Sequence, residues 1–394
     1  MISVEQALAA LFDLVEPLGV ETVDLRAANG RVLAKDAVAA RAQPPFAASS
    51  MDGYALRLAE LEPDAMFKVI GESAAGRGYL GQVGPGQTVR IFTGAPVPDG
   101  ADVVVIQEQV TRRGNLITLN HGVDRKSNIR PMGADFKPSD RLQAPRRLGP
   151  TDLALMAAMN VDQCQVYQAP EIAILATGDE LVMPGGTPGP DQIIASNGFG
   201  LAAMLENLGA KTRLLPIAQD TAPSLRAAID LAQGADLLVT IGGASVGDHD
   251  LVAQVAADMG LAQSFYKVAM RPGKPLMAGR LGAMPMIGLP GNPVSAMVCG
   301  WVFLAPMVRA MQGLGFAAAP RRQARLDRPL PANGPRAHYM RAKRTETGIA
   351  GFDNQDSALL TVLAQANALL IRPPHDPARD IGDTVEYIPL SNAP

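Results

Sequence analysis

Three stretches decide the fold: EIAILAT (residues 171–177), DLLVTIGG (236–243) and PMIGLPGNP (285–293). Each is a short apolar run that stops at a polar or glycine-bearing turn, the pattern of a strand. The period changes between them. NGFGLAAMLENLGA (197–210) and APSLRAAIDLAQG (222–234) read as helices stopped by Gly209 and Gly234, and DLVAQVAADMG (250–260) reads as a third. TRLLPIA (212–218), SFYKVAM (264–270) and PLMAG (275–279) read as further strands, and a long helix from Pro293 to about Gly313 closes the unit. Strand–helix alternation of this kind implies a mostly parallel, doubly wound α/β sheet.

The texture changes on both sides of this unit. Residues 4–17 carry Ala7, Leu11, Leu14 and Val15 at helical spacing, a helix packed on something larger. From about residue 30 to 150 the pieces are short and β-prone (RVLA, FKVI, QTVRIF, DVVVIQ, NLITL), separated by turns such as VGPGQ and APVPDGAD. A short helix opened by Thr151 leads back to the α/β unit, and residues 320–394 return to β texture with proline-rich joints. The fold class is α/β plus β, in several domains.

Composition removes several functions. At roughly 100–200 residues per domain, 394 residues call for two to four domains. Hydrophobic residues at 47% against 19% charged give a chain able to bury its core. A net charge of −3 and only 4% aromatic residues argue against nucleic-acid binding by a basic face or by base stacking. Cys164 and Cys299 stand far apart and the four histidines are scattered, so neither a zinc site nor a disulfide framework is spelled out. Sparse cysteine suits a reducing compartment, and the N-terminus lacks the basic start of a signal peptide. The apolar run Val294 to Val308 falls short of the roughly 20 residues that span a bilayer, so the expectation is a cytoplasmic protein with no membrane partner.

Open parallel sheets bind ligands beyond the carboxyl ends of their strands. The residues following each strand are Gly178, Asp179 and Glu180; Gln219 and Asp220; Gly242 through Asp250; Arg271 through Lys274; and Pro290 through Pro293. One rim gathers carboxylates, glycine turns and two cations. In GGASVG, the glycines Gly242, Gly243 and Gly247 let backbone N–H groups approach a phosphate, and Ser245 adds a hydroxyl. Asp248 and Asp250 suit Mg²⁺, which takes one or two carboxylates beside phosphate and water. Lys274 and Arg271 would neutralise an anion. The bland alternative makes these turns ordinary and Asp250 a helix cap. No GxxxxGK[ST] or GxGxxG occurs at the relevant turns, which removes Walker ATPases and nicotinamide dehydrogenases.

The N-terminal half carries three dense polar motifs: PFAASSMDGYA (45–55), FTGAPVPDGAD (92–102) and NIRPMGAD (128–135). Their polar groups flanked by small residues are Asp52, Thr93, Arg130 and Asp135. Taken alone, each reads as an Asx turn or an exposed loop.

In order along the chain, SSMDGYA, IFTGAPVPDGADVVV, NIRPMGADF, ILATGDELV, TIGGASVGDHD, MRPGKPLMAG and GLPGNPVSA resemble the molybdopterin molybdenumtransferase family. The resemblance runs essentially end to end, and the related eukaryotic scaffold gephyrin carries the same module. It implies an elongated homodimer of four-domain chains: 1–45 with 140–168 as a linking domain, 46–139 as an inserted β domain, 169–318 as the α/β molybdopterin-binding domain, and 319–394 as a small β-barrel. It implies an active cleft shared between the α/β domain of one subunit and the N-terminal β region of the other. Its substrates would be adenylylated molybdopterin and molybdate. Its cofactor would be Mg²⁺ and its product AMP, with an adenylyltransferase of the same pathway as a further partner.

Carried over by motif, Asp52, Thr93, Asp135, Glu180, Asp220 and Asp250 match the family's polar cleft positions, and Lys267, Arg271 and Lys274 its basic ones. Some relatives have lysine at the position of Arg271. Pro290 and Pro293 match its two turn prolines, and Ser357 its tail serine. Phosphoanhydride cleavage then assigns Asp248, Asp250 and Glu180 to the cation, and Glu180 or Asp135 to the general base. Arg130 and Ser357 become donors to molybdate, a tetrahedral dianion. The competing reading is a non-catalytic pterin-binding scaffold, and tungsten is the competing metal.

Overall fold

A computed structural model of the chain describes residues 1–243 and 251–390. The alternation around 171–293 forms a six-stranded sheet in the order Lys211–Leu214, Glu171–Ala176, Leu237–Ile241, Met284–Leu289, Met277–Leu281, Leu261–Tyr266. The first four strands are parallel, with Ile174 opposite Leu214 and Val239, and Val239 opposite Ile287. The last two strands are antiparallel additions. Alternate side chains feed two cores, as the period-two geometry of a strand demands. Ile172 and Ile174 face the helices Asn197–Asn207 and Pro293–Cys299, whereas Ala173 and Leu175 face Ala222–Asp230 and Leu251–Asp258.

The N-terminal helix Val4–Phe12 belongs by packing to this unit: Val4, Ala7, Leu8 and Leu11 join the same core as Ile172 and Phe303. It starts at a reciprocal cap, in which Ser3 Oγ accepts from Gln6 N (3.2 Å) and Gln6 Oε1 from Ser3 N (2.9 Å). The closing helix is Pro293–Cys299, a π-type turn Gly300–Leu304, and Ala305–Met311. Pro306 has no N–H for the carbonyl four residues back, which suits a widened turn there. By length and hydropathy Pro293–Met311 passes for a membrane span, but 78% of it is buried inside the protein. It is a core helix.

Before this unit the chain makes an excursion and returns. Val20–Asp24 pairs with Gln163–Tyr167, followed by Val32–Leu33 and Arg146–Arg147, so residues flanking the excursion share one four-stranded sheet. Three of these strands, Val20–Asp24, Arg146–Arg147 and Gln163–Tyr167, are absent from the sequence reading. The returning helix is Pro150–Ala158, opened at Gly149 and not at Thr151. The excursion itself is a six-stranded sheet in the order Val103–Ile106, Gly53–Leu56, Gln87–Ile91, Met66–Ser73, Leu116–Leu119, Val110–Arg113.

The C-terminal strands Arg322–Arg325, Ala337–Arg344, Ile349–Gly351, Ala368–Arg372 and Thr384–Pro389 form another sheet, and a bridge between Leu326 and Ile349 joins its two ends. One strand departs from expectation. The run 264–270 is not continuous: the strand ends at Tyr266, Lys267 takes a positive φ of 76°, and Met270–Arg271 pairs in the C-terminal sheet instead. A left-handed residue cannot continue an extended strand, so the chain changes sheets there.

Candidate active site

The carboxyl ends of the parallel strands open into a cleft of about 1000 Å³ whose walls include Thr177, Glu180, Asp220, Gly243, Asn292 and Pro293. Glycine is obligatory at its centre. Gly242 and Gly243 have φ of 92° and 67°, and a Cβ on Gly242 would lie 2.7 Å from the Thr177 carbonyl oxygen. One on Gly243 would lie 2.2 Å from Val252 Cγ2. Either substitution therefore displaces the turn. Thr177 donates its backbone N–H to Ile241 O at 3.0 Å, but its buried hydroxyl has no hydrogen-bond partner among the described residues.

On the neighbouring turn Gly178 has φ 146°, and a Cβ there would meet the Glu180 carboxylate at 2.2 Å. Asp220 donates its backbone N–H to Asp179 Oδ1 at 3.0 Å. Glu180 and Asp220 are exposed, and no donor among the described residues is bonded to either carboxylate. Two hard oxygen donors thus face the cleft unspent.

The turn 289–293 supplies the opposite wall. Gly242 N donates to Leu289 O (3.1 Å), and Asn197 Nδ2 donates to Gly291 O (2.7 Å). Asn292 Nδ2 donates to Ser357 Oγ (3.0 Å), and Val294 N donates to Ser357 O (3.1 Å). Ser357 is thereby seated on the rim from the C-terminal region, with Ala358 in the cleft wall. Pro290 also lines the cleft.

The basic residues stand on the connection between Tyr266 and Met277, which leaves and re-enters the sheet on this rim. Lys267 Nζ lies 4.8 Å from the Tyr266 ring centroid, Lys274 O accepts from Val268 N (3.1 Å), and Arg271 bonds to His338. None of the three is a wall of the cleft, although Pro275 is.

The polar motifs of the inserted sheet gather elsewhere. Asp52 Oδ1 accepts from Thr93 N (2.7 Å) and Thr93 Oγ1 (2.8 Å). The Thr93 backbone donor first, then its hydroxyl, and Arg90 at longer range hold the Asp52 carboxyl below its ordinary 3.8, outweighing slight desolvation. Gly53 follows because a Cβ there would be 2.0 Å from Val105 O. Ile129–Arg130 pairs with Ala48–Ser49, and Asp135 donates its N–H to Gln43 O (2.9 Å); both Arg130 and Asp135 are exposed. None of Asp52, Thr93, Arg130 and Asp135 lines the cleft of its own chain.

Ser245, Gly247, Asp248 and Asp250 lie outside the described residues. Among the described residues no three histidine, cysteine or acidic side chains form a metal cluster. Cys164 and Cys299 are buried thiols, and burial pushes both pKa values up, far from thiolate character. Sequence reasoning passed over Thr177 and Asn197, which look like a strand end and a helix start. Only proximity to the glycine turn marks them.

Three family descriptions match in series along the chain. They are the MoeA N-terminal region (domains I and II) over residues 2–160, a probable molybdopterin binding domain over 173–310, and the MoeA C-terminal region (domain IV) over 323–390. A molybdopterin molybdenumtransferase of Nostoc sp. is 35% identical over 393 residues, covering 95% of this chain and 90% of that protein. The chain belongs to the molybdopterin molybdenumtransferase family. A second member, from Haemophilus influenzae, is 35% identical over 317 residues, covering 79% of this chain and 78% of its own length. The crystal structure of a molybdopterin biosynthesis MoeA protein from Pyrococcus horikosii superposes with a TM-score of 0.81 at 27% identity, over 100% of both chains. Membership makes the chain a transferase and sets its work in molybdenum cofactor biosynthesis. The molybdenumtransferase family is multidomain, and the order of N-terminal, central and C-terminal regions is the order found here.

Proposed function

We propose that the chain inserts molybdate into adenylylated molybdopterin, cleaving its phosphoanhydride and releasing AMP. The observation that carries this reading is the pairing of bare glycine backbone at Gly242-Gly243 with the unpartnered Glu180 and Asp220 carboxylates across one cleft. Backbone without side chains admits phosphate oxygens to hydrogen-bonding distance. Phosphoanhydride cleavage asks for placement and charge neutralisation more than for a strong nucleophile. Lys267, Arg271 and Lys274 supply positive charge at the rim, and Glu180 or Asp135 holds the proton of the attacking oxygen. Arg130 and Ser357 donate to the oxyanion.

Two carboxylates suit Mg²⁺ when substrate phosphate and water complete its shell, so Glu180 and Asp220 are the described residues that would hold it. That cation would supply Lewis-acid stabilisation of the departing phosphate oxygen. No protein thiol is needed for molybdenum, because the pterin dithiolene brings its own soft sulfurs. The Asp52–Thr93 pair enters by two-fold assembly, each cleft taking its inserted sheet from a second copy. An adenylyltransferase of the same pathway supplies the substrate.

The test is incubation with adenylylated molybdopterin, molybdate and Mg²⁺. AMP should appear in proportion to molybdenum bound. Tight binding of the pterin with no AMP would replace the enzyme by a scaffold.

A further inference from the structure

Arg271 stands where two units of the chain meet. Met270–Arg271 pairs in parallel with the C-terminal strand, Met270 opposite Ala337 and Arg271 opposite His338, and Ala337 N donates to Ala269 O at 3.0 Å. Across this pair Arg271 Nη2 lies 3.0 Å from His338 Nδ1. A guanidinium has donors only, so Nδ1 accepts and carries no proton. His338 is 4% exposed, and burial first, then Arg271, Arg372, Arg341 and Arg336 around it, push its pKa from 6.5 down to about 3. The imidazole is therefore neutral at physiological pH, with its single proton on Nε2.

The arginines around His338 are held differently. Arg372 is paired with Asp376 and donates to the carbonyls of Pro331 (3.0 Å) and Pro377 (2.7 Å). Arg341 donates to Gln355 Oε1 (3.3 Å) and Asp356 O (2.9 Å) inside the C-terminal unit. Arg271 is exposed and, among the described residues, has no acidic partner; His338 is its one side-chain acceptor. A carboxylate in that place would cancel the guanidinium's charge. A neutral imidazole fixes its geometry and leaves the charge whole, which is what an anion-binding arginine requires.

We propose that His338 is a positioning residue, whose Nδ1 orients the Arg271 guanidinium for an anionic group of the ligand at the cleft rim. The inference rests on the reading of that rim as a phosphate-binding site. The C-terminal unit thus reaches the site twice, through Ser357 on Asn292 and through His338 on Arg271.

Calorimetric binding of AMP to the full chain tests it with wild type and four variants. Arg271→Ala should weaken binding about tenfold, the loss of one charge-assisted contact. His338→Leu should weaken it about fivefold, and His338→Asn, which keeps a side-chain acceptor, should stay within about twofold of wild type. In the Arg271→Ala background, His338→Leu should add nothing, because its effect passes through the guanidinium. Wild-type affinity for His338→Leu beside a weakened Arg271→Ala overturns the positioning role and leaves the site reading standing. A His338→Leu loss that persists in full on Arg271→Ala overturns it too. Unchanged binding by Arg271→Ala removes the rim site and the inference with it. Nitrogen NMR of histidine-labelled wild type needs no variant to fold: His338 Nδ1 should stay unprotonated from pH 5 to 8. A titration midpoint near 6.5 would end the proposal.

Discussion

The α/β rim and the inserted sheet treat their carboxylates in opposite ways. On the rim, Glu180 and Asp220 stand exposed with no donor among the described residues on their carboxylate oxygens, beside a glycine turn that admits no Cβ. In the inserted sheet, Asp52 is already committed, receiving both donors of Thr93. A carboxylate without partners is available to a cation or a substrate proton. One with two short hydrogen bonds is a clasp, fixing the Thr93 turn against the Asp52 turn. Acidic residues of equal prominence in the sequence thus do different physical work.

The strongest way to break this contrast is to force the two regions to cooperate. Asp52→Ala and Glu180→Ala chains, each inactive, should recover about a quarter of wild-type activity when co-folded in equal amounts, since half the dimers are mixed and each carries one intact cleft. Continued inactivity in verified heterodimers would put both regions in a single chain's site. Next in size, Gly242→Ala should weaken AMP binding about a hundredfold, because a strained φ of 92° and a 2.7 Å approach to Thr177 O both oppose it. Binding within a few-fold of wild type would mean the turn is not the phosphate cradle.

Thr93→Val probes the clasp. Because the backbone donor is the larger cause, the Asp52 pKa should move only part of the way back toward 3.8, read by carbon NMR. The sign for stability follows. A depressed folded pKa stabilises above the unfolded value and loses that contribution as pH falls through the folded one. The gap in unfolding midpoint between wild type and Asp52→Asn should therefore close as the solution is acidified below about 3.8. A gap unchanged by acid would deny the clasp. The smallest effect belongs to Thr177→Val, which removes a buried hydroxyl without a partner and should raise stability by about 1 kcal/mol in denaturant melts. A clear loss would show that the hydroxyl is bonded in solution.

Much of this is legible in the sequence alone. EIAILAT, DLLVTIGG and PMIGLPG announce their sheet because strands buried on both faces are continuously apolar. Their turns announce the rim, since only glycine tolerates the geometry at Gly242 and Gly243. Val20–Asp24 and Gln163–Tyr167 were illegible for the converse reason. Val20–Asp24 alternates only between exposed and half-buried positions and takes its register from Gln163–Tyr167, with Val23 opposite Cys164, while Gln163–Tyr167 in turn sets Val166 opposite Leu33. The run 264–270 was misread because nothing in Tyr266-Lys267-Val268 betrays a left-handed residue at the middle position. His338 looked like one of four scattered histidines. Its meaning comes from a partner 67 residues away, across a strand pair that local periodicity does not encode.

The borrowed strand Met270–Arg271 bears on how the chain can be divided. A gene fragment starting near residue 319 would code for the C-terminal sheet without the segment that pairs with Ala337 and His338. Its product would display bare backbone donors and acceptors along that margin, an adhesive border toward any other extended chain. The boundary visible as a change of texture in the sequence is therefore a poor place to cut. Expression of the piece alone selects for self-association, and shuffling it between relatives requires carrying residues 268–272 along with it.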